Sequence, residues 1–221
     1  MSKVDRRRFL QLAGVSAASL AMLKSQIARK AYGYGKTLAQ ETSRKRALLV
    51  GVNTYPNSAR FTPLQGCTTD VLLQRELLVH RFGFHPNDIC ILSDDTRDKP
   101  TRANILNAFE EHLIKPSHEG DVVVFHFSGH GSQVAESDSP DGDDLNSTFV
   151  PTDAANDTGN VNDIMGRTLY LLTSALKTEH FCGVLDSCYS GGGTRGNVRV
   201  RSAWDGNVYR VGQEEAEYKN R

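Results

Sequence analysis

The chain lacks most of what marks the easily read protein classes. Its 26 basic and 26 acidic side chains cancel, so there is no global basic field for nucleic acid and no acidic excess of a solvating, disordered chain. The cysteines are only four, Cys67, Cys90, Cys182 and Cys188. They contain no C-x-x-C pair and are too sparse to staple a small secreted fold, so each has to be judged alone. The mildly apolar Ala/Leu/Ser/Gly stretch near the start is too short and too polar to span a bilayer. At 221 residues, the chain suits one core-forming domain with appendages.

Residues 1–23 do not read as part of a fold. Arg6-Arg7-Arg8 runs directly into Phe9-Leu10 and resembles a twin-arginine export signal; the competing reading is a basic amphipathic helix at a surface. The resemblance implies engagement of the twin-arginine export machinery and a periplasmic or otherwise extracytoplasmic destination. A clean A-x-A cleavage site is missing, which leaves the leader able to stay as a membrane anchor. Residues 24–45 are polar and basic and read as a linker.

From Arg46 the periodicity changes. Ala47–Val52 is a continuous apolar run, as in a strand buried on both faces. Cys67–Phe82 places Val71, Leu72, Leu73, Leu77, Leu78 and Phe82 at helical spacing and stops at Gly83. Asp88–Leu92 is strand-like. Thr101–Ile114 opens on a capping threonine and sets Ile105, Leu106, Phe109 and Leu113 on one face. A strand at Val122–Phe127 follows, then an acidic loop, a short strand near Thr148–Pro151, a helix near Thr168–Leu176 and a strand at Phe181–Leu185. This order predicts an α/β fold, a mostly parallel sheet with helices on both faces, whose site lies at the carboxyl ends of the strands.

Two strand ends carry chemistry. Val122–Phe127 runs into SGHGSQ, delivering His130 between Gly129 and Gly131; Phe181–Leu185 runs into DSCYSGGG, delivering Cys188. A thiol beside an imidazole is the pairing that thiol catalysis needs, the ring first stabilising the thiolate and then protonating the leaving group. A hydrogen-bonded loop histidine and a buried structural cysteine are the bland readings of each residue alone. Gly191-Gly192-Gly193-Thr194-Arg195-Gly196 also matches G-x-G-x-x-G after a strand. That fingerprint must open a helix, and NVRVRSAWDGNVYRV has no helical face. His126 and His130 are four apart, but on a strand and its loop, with no third zinc ligand nearby.

SGHG with His130 and DSC-x-SG with Asp186, Ser187, Cys188, Ser190 and Gly191 resemble the paired motifs of the metacaspases, and more closely those of their bacterial relatives, the orthocaspases (cysteine peptidases of clan CD, family C14). The gap of 58 residues between His130 and Cys188 suits that order, and LLVGVN followed by GCTTDV resembles the family's first strand and helix. The resemblance covers Arg46–Gly193 and implies a caspase-like three-layer α/β/α sandwich, large-subunit portion, over residues 46–193, with a flexible basic segment over 194–221.

It further implies a cysteine-type endopeptidase acting on peptide or protein substrates with Arg or Lys before the cut. Cys188 would be the nucleophile, His130 the acid and base, and the backbone N–H groups of Gly129 and Cys188 the oxyanion donors. Asp70 and Asp186 would bind the basic side chain. The bland reading of Asp70 is a first-turn acid favoured by the helix dipole.

Departures qualify the resemblance. Tyr189 stands where the family usually has histidine. The positions of the calcium ligands hold Asn146, Asn162 with Asp163, and Arg195; an arginine is a poor neighbour for a hard cation, so no cofactor and no metal are expected. The acidic run Glu136–Asp144 reads as a solvated loop. The chain ends 33 residues after Cys188, before the smaller portion that normally completes the sheet, so a catalytically weak or inactive scaffold is the alternative. Arg44-Lys45-Arg46 in the linker, with Arg195, Arg199 and Arg201, are candidate self-cleavage sites, against an ordinary basic linker. Nothing in the sequence speaks to oligomeric state.

Overall fold

The computed structural model describes residues 29, 32–33, 35–39, 44–56, 61–135, 145–154, 160–187 and 210–211. The chain divides into two units, residues 1–41 and 42–221. In the first, residues 29, 32–33 and 35–38 are helical, and the Thr37 hydroxyl donates to the Gly33 carbonyl at 3.2 Å. Among the described residues no helix is long and apolar enough to cross a membrane.

The second unit runs β1 (Lys45–Gly51), α1 (Cys67–Phe82), β2 (Ile89–Ser93), α2 (Arg102–Ala108), β3 (Val122–Ser128), β4 (Gly131–Ala135), β5 (Leu145–Phe149), β6 (Asn160–Val161), β7 (Ile164–Met165), α3 (Gly166–Ser174), β8 (His180–Asp186) and β9 (Arg210–Val211). Among the described residues, four parallel strands form the central sheet in the order β2-β1-β3-β8. Its inner strands β1 and β3 are almost wholly buried, which is why they read as unbroken apolar runs rather than alternating ones.

Alternation still decides which helix each side chain meets. Leu48, Val50, Val123, Phe125 and Phe127 join Ile105, Phe109 and Leu113 in one buried cluster, with Leu169 and Leu172 packed against it. This is the α2 and α3 face, where each fully buried Leu, Val or Phe contributes about 1.5–3 kcal/mol. Gly51, one step out of phase, faces α1: a Cβ there would lie 2.7 Å from the Cys67 carbonyl oxygen and 2.8 Å from Val71 Cγ2. Glycine lets the first turn of α1 settle directly on the end of β1.

The expected helix Cys67–Phe82 is present with those bounds, but its apolar pattern is only partly a core pattern. Val71 and Leu78 are buried, whereas Leu72, Leu73 and Leu77 are 57%, 63% and 42% exposed. Six apolar residues mark out a stripe wider than the one face a helix can press on a sheet. The expected helix at Thr101–Ile114 changes character midway. Thr101 Oγ1 does accept from the Asn104 N–H, at 3.2 Å, but Phe109–Ile114 is a π-helix. Its bonds reach five residues back, while Ile105, Phe109 and Leu113 all remain buried.

Three further expectations change. The linker does not extend to residue 45: Lys45 and Arg46 are the first residues of β1, in register with Val122 and Val123, and Arg44 Nε lies 2.8 Å from buried Asp121. Arg44-Lys45-Arg46 is thus tied into the sheet. The stretch after His130, read as loop, includes β4, which pairs antiparallel with β5, itself paired with β7. In the segment after the nucleophile, Arg210–Val211 forms β9 and pairs with β6. The acidic run, the glycine-rich stretch and the leader lie outside the described residues.

Candidate active site

The carboxyl end of β3 delivers three consecutive residues, and each is tied to a different part of the fold. The Ser128 carbonyl accepts from the Val52 N–H at 2.9 Å, which extends the pairing with β1. The Gly129 N–H donates to the Asp186 carbonyl at 3.4 Å, joining the ends of β3 and β8. The His130 carbonyl accepts from the Val150 N–H at 3.1 Å, and its own N–H donates to the Tyr55 hydroxyl at 2.9 Å. His130 is therefore the step between the parallel sheet and the antiparallel one, held at both backbone groups.

Its ring is held as firmly. His130 is 3% exposed, with the Tyr55 ring centroid 5.0 Å away and that of Phe61 6.0 Å away. His130 Nε2 lies 2.7 Å from the Thr62 carbonyl oxygen. A carbonyl only accepts, so Nε2 carries the proton, and in the neutral ring Nδ1 is the basic nitrogen. Burial pushes the Tyr55 phenol far above its usual range, so it stays neutral, accepting from His130 and facing the Val150 and Val52 carbonyls at 3.4 and 3.5 Å. A Cβ on Gly129 would sit 3.0 Å from both the Tyr55 hydroxyl and Phe127 Cζ. No larger residue fits the approach to the histidine without moving one of them.

Asp70 lies in the first turn of α1. The Ser128 hydroxyl donates to its Oδ2 at 2.9 Å, which fixes the carboxylate against the end of β3 and adds a specific partner to the dipole-favoured position. Asp186, the exposed last residue of β8, is the register partner of Ser128. Paired residues share a face of a sheet, so Asp186 stands on the same α1 face as Ser128 and the Asp70 carboxylate bonded to it. The structure thus gathers Gly129, His130, Asp70 and Asp186 at one end of the sheet. Cys188, two residues past Asp186, lies outside the described residues.

Three contributors were not anticipated. Ser128 had a readable signal, as the out-of-phase polar residue ending an apolar strand two positions before the histidine. Tyr55 had a weak one, an aromatic side chain just after β1. The Thr62 carbonyl had none, because a backbone acceptor leaves no mark on residue identity.

Of the residues at the expected calcium positions, Asn146, Asn162 and Asp163 are described and Arg195 lies outside the described residues. Asn146 lies on β5; Asn162 donates to the Asp153 carbonyl at 2.9 Å; Asp163 is buried and accepts from the Thr148 hydroxyl at 2.7 Å. Among the described residues no cluster of three or more His, Cys, Asp or Glu side chains is placed to hold a metal.

The fold and the strand-end histidine define an α/β protein of the caspase-like kind. Residues 45–194 match the family model described as metacaspase, peptidase C14 domain, and the chain belongs to that family. It is 39% identical over 152 residues to Metacaspase-7 of Arabidopsis thaliana, covering 67% of this chain and 35% of that protein. It is 35% identical over 162 residues to Metacaspase-1 of Yarrowia lipolytica, covering 72% and 34%. The alignment to Metacaspase-1 of Ajellomyces capsulatus, 33% identical, covers 72% of this chain and 44% of that one. The chain therefore spans well under half the length of these relatives. A crystal structure of a Geobacter sulfurreducens protein shares the fold at 22% identity and a TM-score of 0.53, over 67% of this chain and 52% of the other.

Proposed function

We propose that the chain is a cysteine-type endopeptidase that cuts after Arg or Lys. The observation that carries the reading is the convergence at the end of β3. A histidine whose Nε2–H is committed to the Thr62 carbonyl stands two residues from a serine that is bonded to Asp70 and in register with Asp186. A catalytic base needs a basic nitrogen in a fixed orientation, and a guanidinium or ammonium needs carboxylates whose position does not depend on it.

In this reading Asp70 and Asp186 take the basic side chain before the scissile bond. His130 Nδ1 accepts the Cys188 thiol proton, and the thiolate attacks the scissile carbonyl. The imidazolium returns the proton to the departing amine, leaving a thioester, which a water deprotonated by Nδ1 then hydrolyses. The Gly129 and Cys188 N–H groups hold the developing oxyanion; for Gly129 this means exchanging its long bond to the Asp186 carbonyl for the stronger acceptor. The Arg6-Arg7-Arg8-Phe9-Leu10 leader would bring the chain to the twin-arginine machinery and an extracytoplasmic location.

A catalytically weak scaffold is the second reading, favoured by that same bond, which occupies the Gly129 donor. The test is hydrolysis of Arg- and Lys-ended fluorogenic peptides, with and without calcium, by the wild type and by Cys188→Ala. Thiol-dependent cleavage supports the peptidase. Its absence under both conditions leaves the scaffold.

A further inference from the structure

Helix α1 begins without a cap of its own, because Gly66 stands at its N-cap and has no side chain to accept a bond. The first orphan N–H, that of Cys67, is instead accepted by Asn53 Oδ1 at 2.9 Å. The other end of the same amide, Nδ2, donates to Thr68 Oγ1 at 3.1 Å. Asn53 lies just beyond β1, so the helix is capped from outside, by the strand it packs on.

The backbone of Asn53 is equally committed. Its N–H donates to Asp94 Oδ2 at 2.6 Å, an acceptor that also takes the Thr54 N–H at 3.2 Å, and its carbonyl accepts from the Leu64 N–H at 2.8 Å. Four polar groups thus join three segments: the turn after β2, the loop returning at Leu64 and the first turn of α1. Thr62, whose carbonyl holds His130 Nε2, lies two residues before Leu64; Asp70 lies three residues after Cys67.

We propose that Asn53 is a positioning residue that couples the two halves of the site, setting Asp70 through the cap on α1 and the His130 tautomer through the loop that carries Thr62. The proposal rests on the peptidase reading for its kinetic consequences but not for its geometry. An amide suits the role because it offers an acceptor to Cys67 and a donor to Thr68 at once. A carboxylate also meets both needs, accepting from the Cys67 N–H and from the Thr68 hydroxyl with its proton turned inward. A leucine of similar size meets neither.

The experiment compares the full-length wild type, Asn53→Leu, Asn53→Asp and the milder Thr68→Val, with kinetics on an Arg-ended peptide normalised to titrated active sites and melting curves alongside. Asn53→Leu is expected to raise KM and to lower kcat, each by about tenfold, since both binding and orientation loosen. Asn53→Asp stays within about threefold of wild type, and Thr68→Val raises KM in the same direction by a smaller factor. A residue that only supports the fold would lower the melting temperature and the active fraction but leave KM and kcat per active site unchanged; that result overturns the proposal. A second readout does not depend on turnover. In nitrogen-15 spectra of the imidazole, His130 in the wild type is a single Nε2–H tautomer, and Asn53→Leu, or Thr68→Val if the leucine variant does not fold, mixes the tautomers. An unchanged spectrum overturns the proposal. A wild type without thiol-dependent cleavage defeats the peptidase reading and leaves the spectrum to decide this one.

Discussion

The Ser128 hydroxyl donates to Asp70 Oδ2 at 2.9 Å across 58 residues of sequence, tying the first turn of one helix to the last residue of the strand that leads to His130. Ser128→Ala keeps the strand and removes this tether. A hydrogen bond to a charged group is worth about 1.5–3 kcal/mol, so kcat/KM for Arg-ended peptides should fall by about ten- to a hundredfold, mostly through KM. Steady-state kinetics of the two proteins check it; a change confined to kcat would count against Asp70 as a substrate-binding residue.

Tyr55→Phe tests the backbone hold on the histidine. The ring contacts with His130 and Phe61 survive, but the buried His130 N–H loses its acceptor, at a cost of about 1–3 kcal/mol. Urea unfolding should show that loss of stability together with a reduced kcat. A variant as stable as the wild type would mean that water takes over the bond.

Gly129→Ala places a methyl group 3.0 Å from the Tyr55 hydroxyl and from Phe127 Cζ. Both neighbours are packed in the buried interior, so the strand end has to shift. Overpacking of this kind costs about 1–3 kcal/mol, and a displacement of the histidine by a fraction of an ångström should reduce turnover about a hundredfold. Thermal melts separate the two effects, because the activity loss should far exceed any drop in folded fraction at assay temperature.

Cys90, half-buried on β2, has its thiol pushed up from the ordinary value of 9.0 by burial and, behind that, by the Asp98 carboxylate. Two outcomes are expected. Near neutral pH it alkylates more slowly than an exposed thiol, which mass mapping of iodoacetamide-treated protein would show. The folded chain also holds this proton more tightly than the unfolded chain. The resulting stability is fully present below pH 9.0 and is lost as pH rises through that value toward the folded one. Cys90→Ser should therefore lose less stability than wild type in melts across the alkaline range.

Limited trypsin digestion should spare the bonds after Lys45 and Arg46. A protease needs an extended segment it can surround, and these residues are paired into β1 against Val122 and Val123. Mass analysis of the early fragments checks this. Early cuts at those two positions, with the rest of the sheet intact, would contradict the strand.

Much of this architecture is legible in the residues. Unbroken apolar runs announced β1 and β3 because both their faces are covered, and Gly66 and Gly83 bracket α1 closely enough to fix its ends. The same helix also shows where periodicity misleads: Leu72, Leu73 and Leu77 look like core and are exposed, since apolar spacing alone does not say which face a neighbour covers. Strands β6 and β7, two residues each, are too short for alternation to register, and β4, GSQVA, is too polar and glycine-led to stand out from the acidic run that follows it. At the site, His130 could be picked out because a reactive side chain at a strand end is unusual, whereas Asp70, on the first turn of α1, and Asp186 are marked by the motifs that resemble the family's. The Thr62 carbonyl and the outside cap by Asn53 could not, because both depend on where the chain folds back rather than on what it is made of.

The bond from the Gly129 N–H to the Asp186 carbonyl closes the site with β8, which among the described residues is the last strand of the parallel sheet to be synthesised. A chain emerging from the ribosome carries Asp70 and His130 long before it has Asp186, and β8 can join only after the intervening antiparallel hairpin has been made. Contacts this distant in sequence form late and together. Assembly of the pocket therefore waits on the pairing of β8 with β3, and a half-made chain holds a histidine without the strand that would complete its surroundings.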